Sequence, residues 1–339
     1  MNLDDQEFTA YQVTEQAGGE RASYHGTLTQ KKVADLPAGD VLVRVAYSSL
    51  NYKDALSATG NKGVTRQYPH TPGIDAAGVV AESDSQLFSA GDEVIVIGYD
   101  LGMNTAGGFA QFIRVPASWV VKRPAGLSLN ESMIVGTAGF TAALCIEKLL
   151  LNGLDPAQGP VLVTGASGGV GSFAVALLAQ LGFEVTAMTG SESAHDFLRE
   201  LGASQIIGRE DYSQPSPKPM NKELWAGAVD AVGGDILFNV VKSLKYGGSV
   251  ACCGLVASPQ FQATVFPFIL RGVNLLGVDS VNLPLAHKSQ LWNKLAGNWK
   301  PKGLAQLETR IGFAELDSAL RTVLSGESTG RLVLALGKD

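Results

Sequence analysis

The chain has 339 residues, 45% of them hydrophobic and 17% charged, enough for two packed domains at roughly 100–200 residues each. A net charge of −6 argues against nucleic acid as a partner, because phosphate binding needs a concentrated basic surface. The start MNLDDQEF has neither the basic nor the apolar region of a signal peptide. No apolar stretch approaches the ~18 residues of a membrane span, so a soluble, cytoplasmic chain with no membrane partner is expected.

The first third carries short β-like runs punctuated by glycine and proline. Residues 41–47, 78–81, 93–97 and 108–115 read as strands, and their spacing without long helices predicts a barrel-like β domain. From about Leu129 the texture changes to strands alternating with helical segments. The strand at 160–164 leads into a helix over 172–181 stopped by Gly182, and a strand comes next at 185–188. A helix over 195–201 ends at Gly202, a third strand occupies 205–207, and 227–232, 249–253 and 273–276 supply three more. Six strands with helical crossovers fit a doubly wound parallel sheet. Residues 212–222, rich in proline and serine, read as a surface loop. The stretch after Pro284 ends in an apolar run at 332–336 that is expected to return to the first domain.

Cysteine use is sparse. Cys145, Cys252 and Cys253 make an odd number, and adjacent cysteines rarely pair, so no disulfide framework is expected. They read as small buried hydrophobes, with a redox pair as the alternative.

The main chemical signal is Thr164-Gly165-Ala166-Ser167-Gly168-Gly169-Val170-Gly171-Ser172, set between a buried strand and a helix. Ala166 takes the turn position of a dinucleotide fingerprint. Gly168 lets the backbone approach a pyrophosphate, and Gly171 lets helix and strand pack closely. The helix N-terminus adds N–H donors and a dipole suited to an anion. Ser167, Gly168, Gly169, Val170 and Gly171 are therefore the expected cradle. At the end of the second strand, Thr189-Gly190-Ser191 offers donors where NAD-specific sites carry an acid, and Arg209 is the nearest cation. NADPH is the expected cofactor.

These motifs, with Ser48-Ser49-Leu50-Asn51-Tyr52-Lys53-Asp54, Pro72-Gly73-Ile74-Asp75-Ala76-Ala77-Gly78, Ala90-Gly91-Asp92-Glu93-Val94 and Gly136-Thr137-Ala138-Gly139-Phe140-Thr141-Ala142, resemble the medium-chain dehydrogenase/reductase superfamily from end to end. Gly136 to Ala143, Tyr246 to Ser249, Pro267 to Arg271 and Gly277 to Val281 are most similar to its acrylyl-CoA reductase subgroup, whose members are often labelled quinone oxidoreductases. The resemblance implies an α/β fold: a GroES-like β-rich catalytic domain over 1–128 and 283–339, and a Rossmann nucleotide-binding domain over 129–282. It implies a homodimer formed partly through the nucleotide domains. It also implies that Tyr52, the glycine turn, Thr189 to Ser191, Arg209, Leu255, Ile269, Ser280 and Arg331 lie beside the cofactor. Ser191 stands where many relatives carry a basic residue, which leaves more of the phosphate contact to Arg209.

Zinc enzymes of this superfamily use Cys and a Gly-His-Glu element that this chain lacks. Asn51 and Tyr52 stand in the region of the first ligand, Gly73-Ile74-Asp75 replaces the second motif, and three cysteines cannot make a Cys₄ site. The four histidines are scattered, so no metal site is expected. Without a Lewis acid, reduction of a double bond conjugated to a carbonyl is easier to support than alcohol oxidation. Tyr52 is the candidate hydroxyl, supported by Asn51 and Asp54. It could donate the proton, bond the nicotinamide ribose, or simply pack. The expected acceptor is acryloyl-CoA, with a quinone as the alternative and a non-catalytic nucleotide-binding protein as a third reading.

Overall fold

The computed structural model describes residues 3–18 and 22–337. It divides into two units. One runs to Thr137 and resumes over Val281–Gly297 and from Leu304 onward; the other comprises Ala138–Ser280 and Asn298–Gly303.

The first unit begins with an antiparallel hairpin of β1 (Glu7–Gln16) and β2 (Ser23–Lys32), with Glu7 opposite Lys32 and Gln16 opposite Ser23. Hydrophobic periodicity does not mark this hairpin, because β2 is polar and lies half in solvent. Pairing and packing define it instead. A side chain at Gly26 would run into the Tyr11 ring, and Tyr11 Oη donates to Asp317 Oδ1 at 2.9 Å.

Next come β3 (Val41–Ser49), the short helix α1 (Tyr52–Ala58), β4 (Asp75–Ser83), β5 (Glu93–Ile97), β6 (Phe112–Val115) and β7 (Val120–Lys122). β3 pairs antiparallel with both β4 and β6, so it is buried along most of its length. Its C-terminal end is thereby fixed in place, and with it the Asn51–Asp54 turn that comes directly after.

The helix α2 (Leu129–Leu151) corrects the expectation that no apolar stretch approaches the length of a membrane span. Its length and composition would suffice to cross a membrane, although 78% of its most apolar window is buried inside the protein. Gly136, at φ 50° and ψ −161°, breaks its helical path.

The second unit contains β8 (Val161–Thr164), α3 (Gly169–Gln180), β9 (Val185–Met188), α4 (His195–Glu200), β10 (Gln205–Ile207), β11 (Trp225–Asp230), α5 (Gly234–Ser243), β12 (Leu244–Cys252), α6 (Phe266–Arg271) and β13 (Asn274–Gly277). All six strands are parallel, in the order β10-β9-β8-β11-β12-β13. β8, β9 and β11 are buried at every position, as strands covered on both faces must be. The strand order reverses between β8 and β11, and in such sheets ligands bind outside the carboxyl ends at that point.

The first unit is completed by α7 (Leu285–Ala296), β14 (Glu308–Ile311), α8 (Leu316–Ser325) and β15 (Arg331–Ala335). β15 joins β3 antiparallel, Val333 opposite Ser49, closing the seven-stranded sheet of that unit. Its first residue, Arg331, thereby arrives beside the end of β3.

Candidate functional site

In the second unit the glycine turn has the form that the fingerprint demands. A Cβ on Gly171 would lie 2.2 Å from Gly165 O and 2.6 Å from Ala166 Cα, so only glycine lets α3 approach β8 this closely. A Cβ on Gly168 would meet nothing nearer than Gly165 O at 3.5 Å; the space above it is open. Gly168 is the N-cap of α3, and no side chain caps the first turn. The helix therefore presents N–H groups and a positive dipole end to that space, which fits a pyrophosphate.

Ser167, Thr189, Gly190, Ser191 and Arg209 come together at the carboxyl ends of β8, β9 and β10. Ser167 Oγ lies 3.1 Å from Thr189 Oγ1, and Ser191 N donates to Thr189 Oγ1 at 3.1 Å. Arg209 is exposed and lies over the Gly190 backbone: a Cβ there would be 3.0 Å from Arg209 Nε. Three hydroxyls and a guanidinium around a glycine fit a phosphate monoester.

Asp230, which sequence reasoning missed, organises the crevice. Fully buried at the end of β11, it accepts Thr164 Oγ1 at 2.6 Å and Gly233 N at 2.9 Å, locking β8 to the turn after β11. Burial pushes its carboxyl above the usual range, opposed by those hydrogen bonds.

The remaining expected contacts are dispersed. Leu255 and Ile269 are apolar side chains 56% and 68% exposed, and no hydrogen bond or ring contact ties them to the serine–threonine–arginine cluster. Ser280 is buried and shares a 2.7 Å hydroxyl contact with Thr141.

The three cysteines are free thiols. Cys145 is buried, whereas Cys252 and Cys253 are only half-buried, which departs from the fully buried reading. Burial, then the charge of Asp230, pushes the Cys252 thiol up to about 11, so it is a protonated, weak nucleophile at neutral pH.

The first unit holds a second constellation. Asn51 caps α1, and Asp54 in the first turn accepts Asn51 N at 2.8 Å through Oδ2. Its other oxygen accepts Gly73 N at 3.1 Å and Ile74 N at 2.8 Å, fastening α1 to the approach to β4. Asp54 is fully buried, and burial first, then the negative charge of Asp75, pushes its carboxyl up to about 7. Tyr52 opens α1, half-buried, and its hydroxyl has no hydrogen-bond partner among the described residues.

Behind this turn lies a buried ionic cluster. Asp75 Oδ2 accepts Ser49 Oγ at 2.5 Å, Asn51 Nδ2 at 2.8 Å and Thr137 N at 2.9 Å, while Oδ1 accepts Thr137 Oγ1 at 2.5 Å. Arg331, 2% exposed, donates Nε to Ile134 O, Nη1 to Leu50 O and Asn51 Oδ1, and Nη2 to Ser49 Oγ, with Asp75 Oδ2 at 3.7 Å. All three guanidinium nitrogens are engaged by protein acceptors. The cofactor contact expected of Arg331 thus finds no donor directed at a ligand, because burial at the head of β15 turns the guanidinium inward.

Ser49, Asp75, Gly136 and Thr137 lie within motifs that carry the family resemblance, yet the sequence gives no sign that they meet. Their convergence depends on β3 pairing with both β4 and β15. Among the described residues, no group of three or more His, Cys, Asp or Glu is arranged to hold a metal ion.

Comparison with known proteins adds a family context. Residues 37–125 match the family model described as the alcohol dehydrogenase GroES-like domain, and residues 169–296 match one described as zinc-binding dehydrogenase. The chain is 44% identical to the acrylyl-CoA reductase AcuI of Ruegeria pomeroyi over 93% of its own length and 96% of the relative's. YhfP of Bacillus subtilis, named as a candidate quinone oxidoreductase, is 46% identical over 89% of this chain and 92% of its own. The crystal structure of YhfP with NAD bound matches with a TM-score of 0.93, covering 98% of this chain and 100% of that one at 42% identity. The yhdH oxidoreductase from Salmonella enterica in complex with NADP also reaches 0.93, at 43% identity over 97% of this chain and 100% of that one.

Proposed function

The chain belongs to the medium-chain dehydrogenase/reductase superfamily, in its acrylyl-CoA reductase and quinone oxidoreductase subgroup, and on that footing we propose that this oxidoreductase uses NADPH to reduce acryloyl-CoA to propanoyl-CoA without zinc. The observation that carries the reading is the Tyr52 hydroxyl, unpartnered among the described residues and mounted at the head of α1 on a buried polar cluster.

NADPH would be held by the N–H groups at Gly168 to Gly171, with Ser167, Thr189, Ser191 and Arg209 around the adenosine 2′-phosphate. Its chemistry there would be that of a hydride donor to the β-carbon of the acceptor. Negative charge then collects on the thioester oxygen, and a proton must reach the α-carbon. A phenol hydroxyl can both donate a proton and donate a hydrogen bond, so Tyr52 is suited either to give that proton or to bond the developing enolate.

Zinc independence rests on the residues themselves. Ile74 cannot ligate a metal, and the Asp75 carboxylate is engaged by Ser49, Asn51 and Thr137. We place the enzyme in the cytoplasm, where its three thiols would stay reduced, and as a homodimer.

Acceptor preference is the test. Comparing kcat/KM for acryloyl-CoA, crotonoyl-CoA and a benzoquinone should rank acryloyl-CoA first, since the CoA moiety adds remote binding energy that a quinone lacks. A tenfold advantage for the quinone would instead assign the activity for which YhfP is named.

A further inference from the structure

Three ionisable groups are buried together around the Asn51 turn of the first unit: Asp54, Asp75 and Arg331, all at most 2% exposed. Isolated charges are costly to bury, and replacing a buried pair by well-packed apolar residues is often neutral or stabilising. Stability alone therefore does not explain why the chain builds one here.

The arrangement converges on a single amide. Asn51 Nδ2 donates to Asp75 at 2.8 Å and reaches Asp54 at 3.3 Å, while its Oδ1 accepts from Arg331 at 3.3 Å. Asn51 is the residue immediately before Tyr52 and the cap of its helix. Its carbonyl end faces a cation and its amino end faces two carboxylates, so the amide has one orientation and its backbone one position. Gly136 closes the cluster from α2: a Cβ there would lie 2.4 Å from Ser49 Oγ, 2.6 Å from Asp75 Oδ2 and 2.7 Å from Arg331 Nη2.

We propose that Asp75 and Arg331 are positioning residues of the reduction, acting through Asn51 to fix the first turn of α1 and with it the Tyr52 hydroxyl. The proposal rests on the reading that Tyr52 serves the reaction. The ion pair touches neither cofactor nor acceptor; it holds the turn that carries the hydroxyl. Asp75 also faces Asp54 across the cluster, and Arg331 of β15 is the cation nearest both. Asp75 therefore biases the ionisation of Asp54, whose carboxyl it helps push up to about 7.

The experiment compares Asp75→Asn, Tyr52→Phe and their combination, with acryloyl-CoA turnover, NADPH affinity by fluorescence and thermal melting measured on each. Asp75→Asn is expected to lower kcat at least tenfold while the NADPH Kd stays within twofold, because the cradle lies in the other unit. Any inflection near pH 7 in its rate profile should move to lower pH, a change that a simple loss of packing would not produce. In the Tyr52→Phe background, Asp75→Asn should cost less than twofold, since its effect runs through the missing hydroxyl. If Asp75→Asn does not fold, Asp75→Asn/Arg331→Met, which removes both members of the buried ion pair, replaces it in every arm.

A folded variant with wild-type kcat overturns the proposal. So does a tenfold loss that persists undiminished in the Tyr52→Phe background. Wild-type kinetics of Tyr52→Phe by itself overturns the Tyr52 reading, independently of what Asp75 does.

Discussion

Arg209 lies over the Gly190 backbone with its guanidinium exposed, which suits a phosphate arriving from solvent. Arg209→Ala should weaken NADPH and leave NADH almost unchanged. A charge-assisted contact is worth roughly 1.5–3 kcal/mol, so the expected loss is about 10- to 150-fold by titration of each cofactor. Equal weakening of both would remove Arg209 from this role. Asp54 makes a different kind of prediction. Its carboxyl titrates near 7 in the folded chain, against an ordinary value of about 3.9 when unfolded. Between those values the folded state holds a proton that the unfolded state has released, so this site favours folding at low pH. Its contribution falls by about 1.4 kcal/mol per unit as pH rises from about 4 to about 7, then levels off. The stability of wild type minus that of Asp54→Asn, from denaturant melts at pH 5, 6, 7 and 8, should follow that slope and flatten above 7. A difference that does not vary with pH would show that Asp54 is ionised throughout.

The break in α2 is an element-scale device. At Gly136 the backbone takes a conformation open to glycine, and the absent side chain leaves room for the Asp75–Arg331 cluster. Gly136→Ala combines backbone strain of about 1–3 kcal/mol with displacement of three buried polar groups, so it should cost about 3 kcal/mol or more in chemical denaturation. Gly182, at φ 87° with no atom within 4 Å of where a methyl would sit, is the control. Alanine there carries only the left-handed penalty of roughly 1–2 kcal/mol. Similar losses at both positions would mean that the cluster tolerates a side chain. The same logic separates the elements that the sequence announces from those it hides. β8, β9 and β11 are predominantly apolar and buried at every position, legible because both faces are covered. α1 spans seven residues and takes its place from Asp54 and its partners, so periodicity could not mark it.

For the whole molecule, the open edge of the nucleotide sheet carries the next expectation. β13 is its last strand, largely exposed, with Leu275 at 36% and nearby Leu270 at 60% exposure. An uncovered apolar edge invites pairing with another strand. We expect sedimentation to give twice the 35.5 kDa chain mass and Leu275→Lys to shift it toward one chain; a monomeric wild type at micromolar concentration would exclude the dimer. What the sequence determined by itself was the nucleotide-binding unit. Strand, glycine turn and helix are contiguous there, so local pattern and function coincide within a short stretch of chain. Ser167, Thr189 and Arg209 could be singled out because each comes directly after a recognisable parallel strand. The tertiary structure alone brought the buried cluster of the first unit together. Ser49, Asn51, Asp75, Thr137 and Arg331 are separated by up to 282 residues, and antiparallel pairing of β3 with β4 and β15 brings them together. It also decided that Arg331 is an internal counter-charge, because whether a guanidinium faces a ligand or a buried carboxylate depends on burial, which a residue's identity does not reveal.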